Sequence, residues 1–209
     1  MKVIIYVLCY NDDTEQQARD QWEQYSWARV YRMKRRTELL ESIMYKTELM
    51  ELYDEWKDAD YVGTVSHRAF QKFPDQKSYL LNKVADVSGN FVELIKPSNS
   101  PYYHNDFMKT TFEHMLSRVG LKPSDKWLFC NYWCCPPSVM KAYIQWFNEK
   151  WLPVLYSTDG LWDDAKHFTP YMPSAEELMI QLGRPYYTYH CFLCERIVSP
   201  FFDDYLANI

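Results

Sequence analysis

Residues 37–70 read TELLESIMYKTELMELYDEWKDADYVGTVSHRAF. The spacing predicts a long amphipathic helix, a short turn and a strand ending in Ser66, His67 and Arg68. Leu39, Ile43, Met50 and Tyr53 recur at helical intervals, and Leu49 and Trp56 widen the same apolar face. Glu41, Glu48, Glu51 and Glu55 fall on the opposite, solvated face. Lys46 breaks this division, since it lies between Ile43 and Met50, where an unpaired ammonium is costly. Either it snorkels to the edge or pairs with a carboxylate, or its partner is an anionic ligand at the rim of a sheet. Open α/β sheets bind ligands beyond the carboxyl ends of their parallel strands. That rule puts Ser66-His67-Arg68 on the ligand side and Asp58-Ala59-Asp60 on the other. The latter, two carboxylates one residue apart, has a spacing that can hold a divalent metal, but it precedes its strand, so it is read as a polar helix exit rather than a metal site.

Working outward, Lys2–Cys9 (KVIIYVLC) is an apolar run of strand length, as a buried parallel strand requires. It ends in Tyr10-Asn11-Asp12-Asp13. There an aromatic ring beside polar groups could receive a nucleobase, or Asp13 or Thr14 could simply cap the next helix. A helix over 15–25 and a strand over 28–33 follow. Beyond Arg68 the pattern predicts a short helix within 74–85, a strand over 91–95, and a loop at 97–101. His104 and Asp106 then stand before a helix over 107–119, where they could contact a substrate or form a local cap. Trp127–Trp133 (WLFCNYW) reads as another strand, interrupted by Asn131. Pro136-Pro137-Ser138 opens a helix, residues 157–173 are loop-like, and helices are expected over 175–182 and within 186–205. In the last of these, Glu195 and Arg196 sit among apolar neighbours, where charges are paired or functional.

A chain of 209 residues with this order of elements is expected to form one three-layer α/β domain over 1–209, with a mainly parallel central sheet flanked by helices. A net charge of -5 argues against a nucleic-acid partner, which needs a basic face. Lys34-Arg35-Arg36 is read as a solvated strand end. Met1–Cys9 already reads as a strand, so no leader or transmembrane segment is expected and the location is taken as cytoplasmic. The six cysteines include one C-x-x-C pair without a second, so free thiols are expected. With 5 Gly and no Gly-rich phosphate loop, a kinase-like reading is disfavoured.

Three blocks resemble a known family. Thr47–Phe70, Phe129–Tyr132 with the helix after it, and the final GRPYYTYHCFLCERIVSPFF (183–202) resemble, in order, three blocks of capsular-polysaccharide glycosyltransferases. The chain is also similar to the amino-terminal glycosyltransferase domain of a large chlorella-virus protein, which would make it one part of a longer polypeptide in the host cytoplasm. The resemblance implies a GT-A-like nucleotide-diphospho-sugar transferase fold and transfer of a hexose from a UDP-sugar donor to a glycan acceptor. Tyr10, Asn11 and Asp12 would hold base and ribose, Lys46 the diphosphate, and Ser66, His67 and Arg68 would stand where relatives carry Asp-X-Asp. Mn²⁺ or Mg²⁺ is the implied cofactor, with ligands not assigned. Asn131 corresponds to the donor-sugar Asn of glycogenin-like retaining enzymes, with Tyr132 in place of a small residue. Glu195 would act at the anomeric carbon, oriented by Arg196, while His104 and Asp106 would meet the acceptor. A retaining course is favoured; an inverting one needs Glu195 or Asp106 as base. The alternative is a non-catalytic glycan-binding module on the same fold.

Overall fold

In the computed structural model, which describes residues 1–128, 130–165 and 174–209, an open five-stranded sheet is flanked by helices. The strands are β1 (Val3–Cys9), β2 (Ala28–Arg32), β3 (Tyr61–Ser66), β4 (Val92–Glu93) and β5 (Trp133–Cys135), in the order β2-β1-β3-β5-β4. The helices are α1 (Asp12–Trp22), α2 (Leu49–Glu51), α3 (Tyr53–Trp56), α4 (Ala69–Lys72), α5 (Lys77–Ala85), α6 (Asp106–Arg118), α7 (Pro137–Trp146), α8 (Leu152–Tyr156), α9 (Ala175–Leu182), α10 (Tyr189–Arg196) and α11 (Val198–Ala207). No helix of the described residues is long and apolar enough to cross a membrane. All six cysteines are free.

The α/β class expected from the sequence is present, but the sheet is mixed rather than mainly parallel. β1 pairs in parallel with β2 and β3, whereas β5 runs antiparallel to both β3 and β4. The reason lies in the segment read as a strand over 127–133. Trp127 makes only an isolated bridge to Ser98, Phe129 lies outside the described residues, and the true strand starts at Trp133. Apolar character there reflects burial of Trp127, Leu128 and Tyr132 and not strand pairing.

β3 and β5 approach closely at Gly63. A Cβ added there would collide with the Trp133 carbonyl oxygen and come within 2.5 Å of the Cys134 Cβ. Trp133 in turn stacks on Tyr45, with ring centroids 5.3 Å apart, and meets Tyr143 and Phe202 edge-on. The glycine therefore sets the spacing of sheet and aromatic core together.

The expected long helix is broken into pieces, which corrects its assigned faces. A 3₁₀ turn (Leu40–Ser42) leads into a π-helical turn (Met44–Glu48), where the Leu49 N–H donates to the Met44 carbonyl, and then into α2 and α3. A π turn admits one extra residue and rotates everything after it about the axis. Leu39, Ile43, Leu49 and Trp56 are buried as expected, but Met50 is exposed, and Glu41 and Glu48 are buried instead of solvated. The Glu48 carboxylate accepts the backbone N–H groups of Arg35 (2.8 Å) and Lys34 (3.3 Å). Glu51 pairs with both of their side chains at the surface, so the basic run is a partly paired strand end.

Two outcomes are expected in urea denaturation. Gly63→Ala should cost about 2–4 kcal/mol, because a backbone carbonyl cannot retreat as a side chain does. Glu48→Gln should cost about 1–3 kcal/mol through a weakened buried acceptor, while Glu51→Gln, which loses only exposed pairs, should cost under about 1 kcal/mol.

Candidate functional site

The carboxyl ends of the parallel strands β1 and β3 meet the amino end of the antiparallel β5. Extending the register of Thr64 with Trp133 sets Asn131 and Tyr132 beside Ser66. The sequence-predicted residues His67, Asn131 and Tyr132 thus lie along one rim with Tyr10, although the parallel strand assumed for Asn131 is absent. Asp58 and Asp60 are at the other end: Asp60 accepts the Lys2 N–H at 2.5 Å where β3 begins.

Several of these side chains are already committed. Asn11 is the N-cap of α1, its Oδ1 accepting the Thr14 N–H at 2.9 Å in a reciprocal capping box. Asp12 is ion-paired with Arg32. A helix cap is thus what the turn provides, but the cap is Asn11 and not Asp13 or Thr14; Thr14 is the third helical residue, which bonds back to it. The Tyr10 hydroxyl donates to Glu41 Oε1 at 2.7 Å, and its ring meets His67 edge-on at 5.7 Å. Burial, then the Glu41 charge, holds the Tyr10 phenol well above its ordinary range.

His67 is buried beside Leu8, whose carbonyl lies 3.0 Å from Nδ1. A carbonyl only accepts, so Nδ1 carries the proton and Nε2 is a bare acceptor. Burial also holds the imidazole below its ordinary pKa, hence neutral at pH 7. His67 therefore enters the site as an acceptor and not as a donor or cation. Its Nε2 and the Asn131 Oδ1 are buried with no hydrogen-bond partner among the described residues. Asn131 Nδ2 donates to Ser42 Oγ at 3.2 Å, and the Asn131 carbonyl accepts from Thr64 Oγ1 at 2.7 Å. Ser66 is buried, and its Oγ accepts the N–H of half-buried Arg68 at 3.4 Å.

α10 brings Glu195 and Arg196 to the same place. Burial pushes the Glu195 carboxyl up to about 7; Arg196 and Lys72 oppose the rise, Glu41 adds to it, and the Cys130 N–H counters it by donating to the carboxylate. Arg196 is buried, with Nε on the Tyr102 carbonyl (2.7 Å) and Nη1 on the Phe192 carbonyl (2.7 Å). Its charge steadies Glu195 while its N–H groups fasten the 102–104 loop to α10. His104 packs edge-on against Phe192, centroids 4.2 Å apart. Asp106 is exposed at the first position of α6, and Asn105 is the cap, through its Oδ1 and the Met108 N–H at 2.9 Å.

Lys46 is not part of this cluster. Its Nζ lies 3.4 Å from the Tyr156 hydroxyl and over that ring, and Tyr156 donates to Glu38. Lys72, which sequence reasoning passed over, is the lysine that shares the electrostatic environment of Glu195. Glu41 was also missed, because helical periodicity assigned it to solvent. The described residues contain no group of three or more His, Cys, Asp or Glu able to hold a metal ion. The clefts of about 400 and 420 Å³, lined by Met1–Val3 with Trp27 and Arg29, and by Gln21, Gln24, Phe70 and Lys77, involve none of the rim cluster.

A carboxyl raised above its ordinary range keeps a proton in the native state that the unfolded chain has released between about pH 5 and 7, so its contribution to stability declines as pH rises through that window. Glu195→Gln removes the dependence. Its melting temperature relative to the unmodified chain, followed by calorimetry, should therefore rise between about pH 5 and pH 8; a constant difference would mean that burial does not raise this carboxyl. No family model matches the chain, and no curated protein or solved structure is significantly similar to it.

Proposed function

We propose that this chain is a GT-A-like glycosyltransferase that moves a hexose from a UDP-sugar to a glycan acceptor, with Glu195 at the reacting carbon. The observation that carries the reading is a convergence of buried polar groups at one rim: a carboxyl titrating near 7, a neutral His67 with a bare Nε2, and an Asn131 with a bare Oδ1. Buried polar atoms without partners are costly, and a ligand that supplies hydrogen bonds to them relieves that cost. A sugar has hydroxyls to donate to both acceptors.

Glu195 suits the role of proton acceptor, because a group with its pKa near the operating pH is an effective base. In the proposed step the acceptor oxygen bonds to the anomeric carbon and its proton passes to the Glu195 carboxylate. The bond from that carbon to the phosphate oxygen breaks, and UDP leaves with the electron pair. This role favours an inverting displacement over the retaining course that the resemblance implied. Asp106 is the weaker candidate base, since it is exposed. The diphosphate charge falls to Arg68, just after β3, and to Lys72, at the end of α4.

The test joins binding to turnover. Millimolar UDP should raise the melting temperature, and Mn²⁺ or Mg²⁺, the cofactor the resemblance implies, should add to the shift. Glu195→Gln should cut UDP release in the presence of sugar donor and oligosaccharide by about 100-fold or more, with UDP affinity retained. A flat response to UDP would remove the donor class. Oligosaccharide binding without UDP release would turn the reading to the glycan-binding module.

A further inference from the structure

Among the described residues, two that are not glycine adopt left-handed backbone angles: Leu40, with φ 48°, and Cys130, with φ 62°. A residue with a side chain keeps such angles only where its surroundings impose them. The two turns lead into Ser42 and Asn131, whose side chains meet, Asn131 Nδ2 lying 3.2 Å from Ser42 Oγ. The ladder between β3 and β5 ends at Trp133, so strand pairing to β3 does not reach Asn131. A side chain of β3 takes its place: Thr64 Oγ1 donates to the Asn131 carbonyl at 2.7 Å.

The direction of these bonds is fixed. A carbonyl only accepts, so the Thr64 hydroxyl proton is committed to Asn131. Tyr45, whose hydroxyl lies 3.0 Å from Thr64 Oγ1, must then donate to it. Tyr45 is held in turn. Its ring stacks on Trp133 and meets Tyr143 edge-on, and its carbonyl accepts from Asn148 Nδ2 at 2.9 Å. Ser42, Tyr45, Thr64 and Asn131 are all buried, where a hydrogen bond left unmade is costly. Two bonds therefore grip Asn131, one on its peptide and one on its carboxamide. What they leave over is Oδ1, the bare acceptor at the rim.

We infer that Thr64 is a positioning residue of this site: its hydroxyl, itself held by Tyr45, fixes the Asn131 peptide so that Oδ1 is aimed at the sugar of the bound donor. The inference deepens the transferase reading and rests on it for the identity of the ligand. Thr64 is fully buried and acts through Asn131 alone. Because Asn131 meets the sugar and not the nucleotide, a loosened grip is felt by a UDP-hexose and not by UDP.

Two measurements test this. Thr64→Val keeps the branched shape that suits a strand and removes the hydroxyl, whereas Thr64→Ser keeps the hydroxyl. In the ligand-free protein labelled with ¹⁵N asparagine, the side-chain amide signals of Asn131 are assigned by their absence in Asn131→Ala. Thr64→Val should shift and broaden them, and Thr64→Ser should leave them near their original positions. Calorimetric titrations with UDP, UDP-glucose and UDP-galactose supply the second readout. In Thr64→Val the affinity for the UDP-hexose that the unmodified chain binds should fall about tenfold relative to UDP, the weight of one well-placed hydrogen bond, and Thr64→Ser should restore it. Tyr45→Phe preserves the aromatic stack and removes only the bond to Thr64; it should move both readouts in the same direction, and it takes over the test if Thr64→Val fails to fold. A merely structural threonine would lower the melting temperature without separating UDP-hexose from UDP. Unmoved Asn131 signals, or an unmoved ratio of UDP-hexose to UDP affinity, would overturn the inference. Asn131 signals that move in a chain with no response to UDP would leave the grip on Asn131 standing and bring down the nucleotide-sugar reading.

Discussion

The approach of β5 to β3 across Gly63 is the contact on which the remainder of the architecture depends. Without a side chain at that position, the Trp133 carbonyl sits where a Cβ would be, and the two strands lie closer than an alanine would permit. That spacing allows Trp133 to stack on Tyr45 and to touch Tyr143 and Phe202, linking the sheet to the π turn, α7 and α11. It also fixes which residues reach the rim. Because β5 runs against β3, its amino end, and with it Asn131 and Tyr132, stands beside Ser66 and His67. A parallel β5 would have carried the same residues to the opposite end of the sheet.

Charge is buried in this protein in two different ways. Glu48 is wholly enclosed, but two backbone N–H groups meet its carboxylate, and it serves to fasten the segment after β2 to the helical segment that follows. Glu41 is enclosed, and Glu195 half-buried, at a rim where bare acceptors on His67 and Asn131 also lie. The first arrangement satisfies its polar groups internally and is closed. The second leaves the acceptors on His67 and Asn131 unmet among the described residues.

Irregular backbone accounts for much of what periodicity could not foresee. The 3.6-residue repeat placed Leu39, Ile43 and Trp56 correctly, and it failed at Glu41, Glu48 and Met50, where a 3₁₀ turn and a π turn change the rotation per residue. Lys46 was singled out for lying on an apolar stripe. The π turn takes it to the edge instead, where its stem is half-buried and its ammonium meets Tyr156. Glu195, Asn131 and the end of β3 stood out in the sequence as a charge among apolar neighbours, a polar group in an apolar run and a polar strand end. Lys72 and Glu41 did not stand out, since an exposed lysine after a strand and a glutamate at helical spacing carry no local signal.

By itself the sequence determined the α/β class, the buried β1, a strand after Asp60 that runs to about Ser66-His67-Arg68, the polar exit at Asp58–Asp60 and the helices that follow Pro136-Pro137-Ser138. Each of these is written in local terms: apolar runs, caps, turn residues and helical intervals. Only the tertiary structure decided that β5 is antiparallel, that Glu41 faces inward, and that Lys46 lies against Tyr156. Those outcomes depend on close approach at Gly63 and on strained turns at Leu40 and Cys130, and both are imposed by packing between segments far apart in the chain.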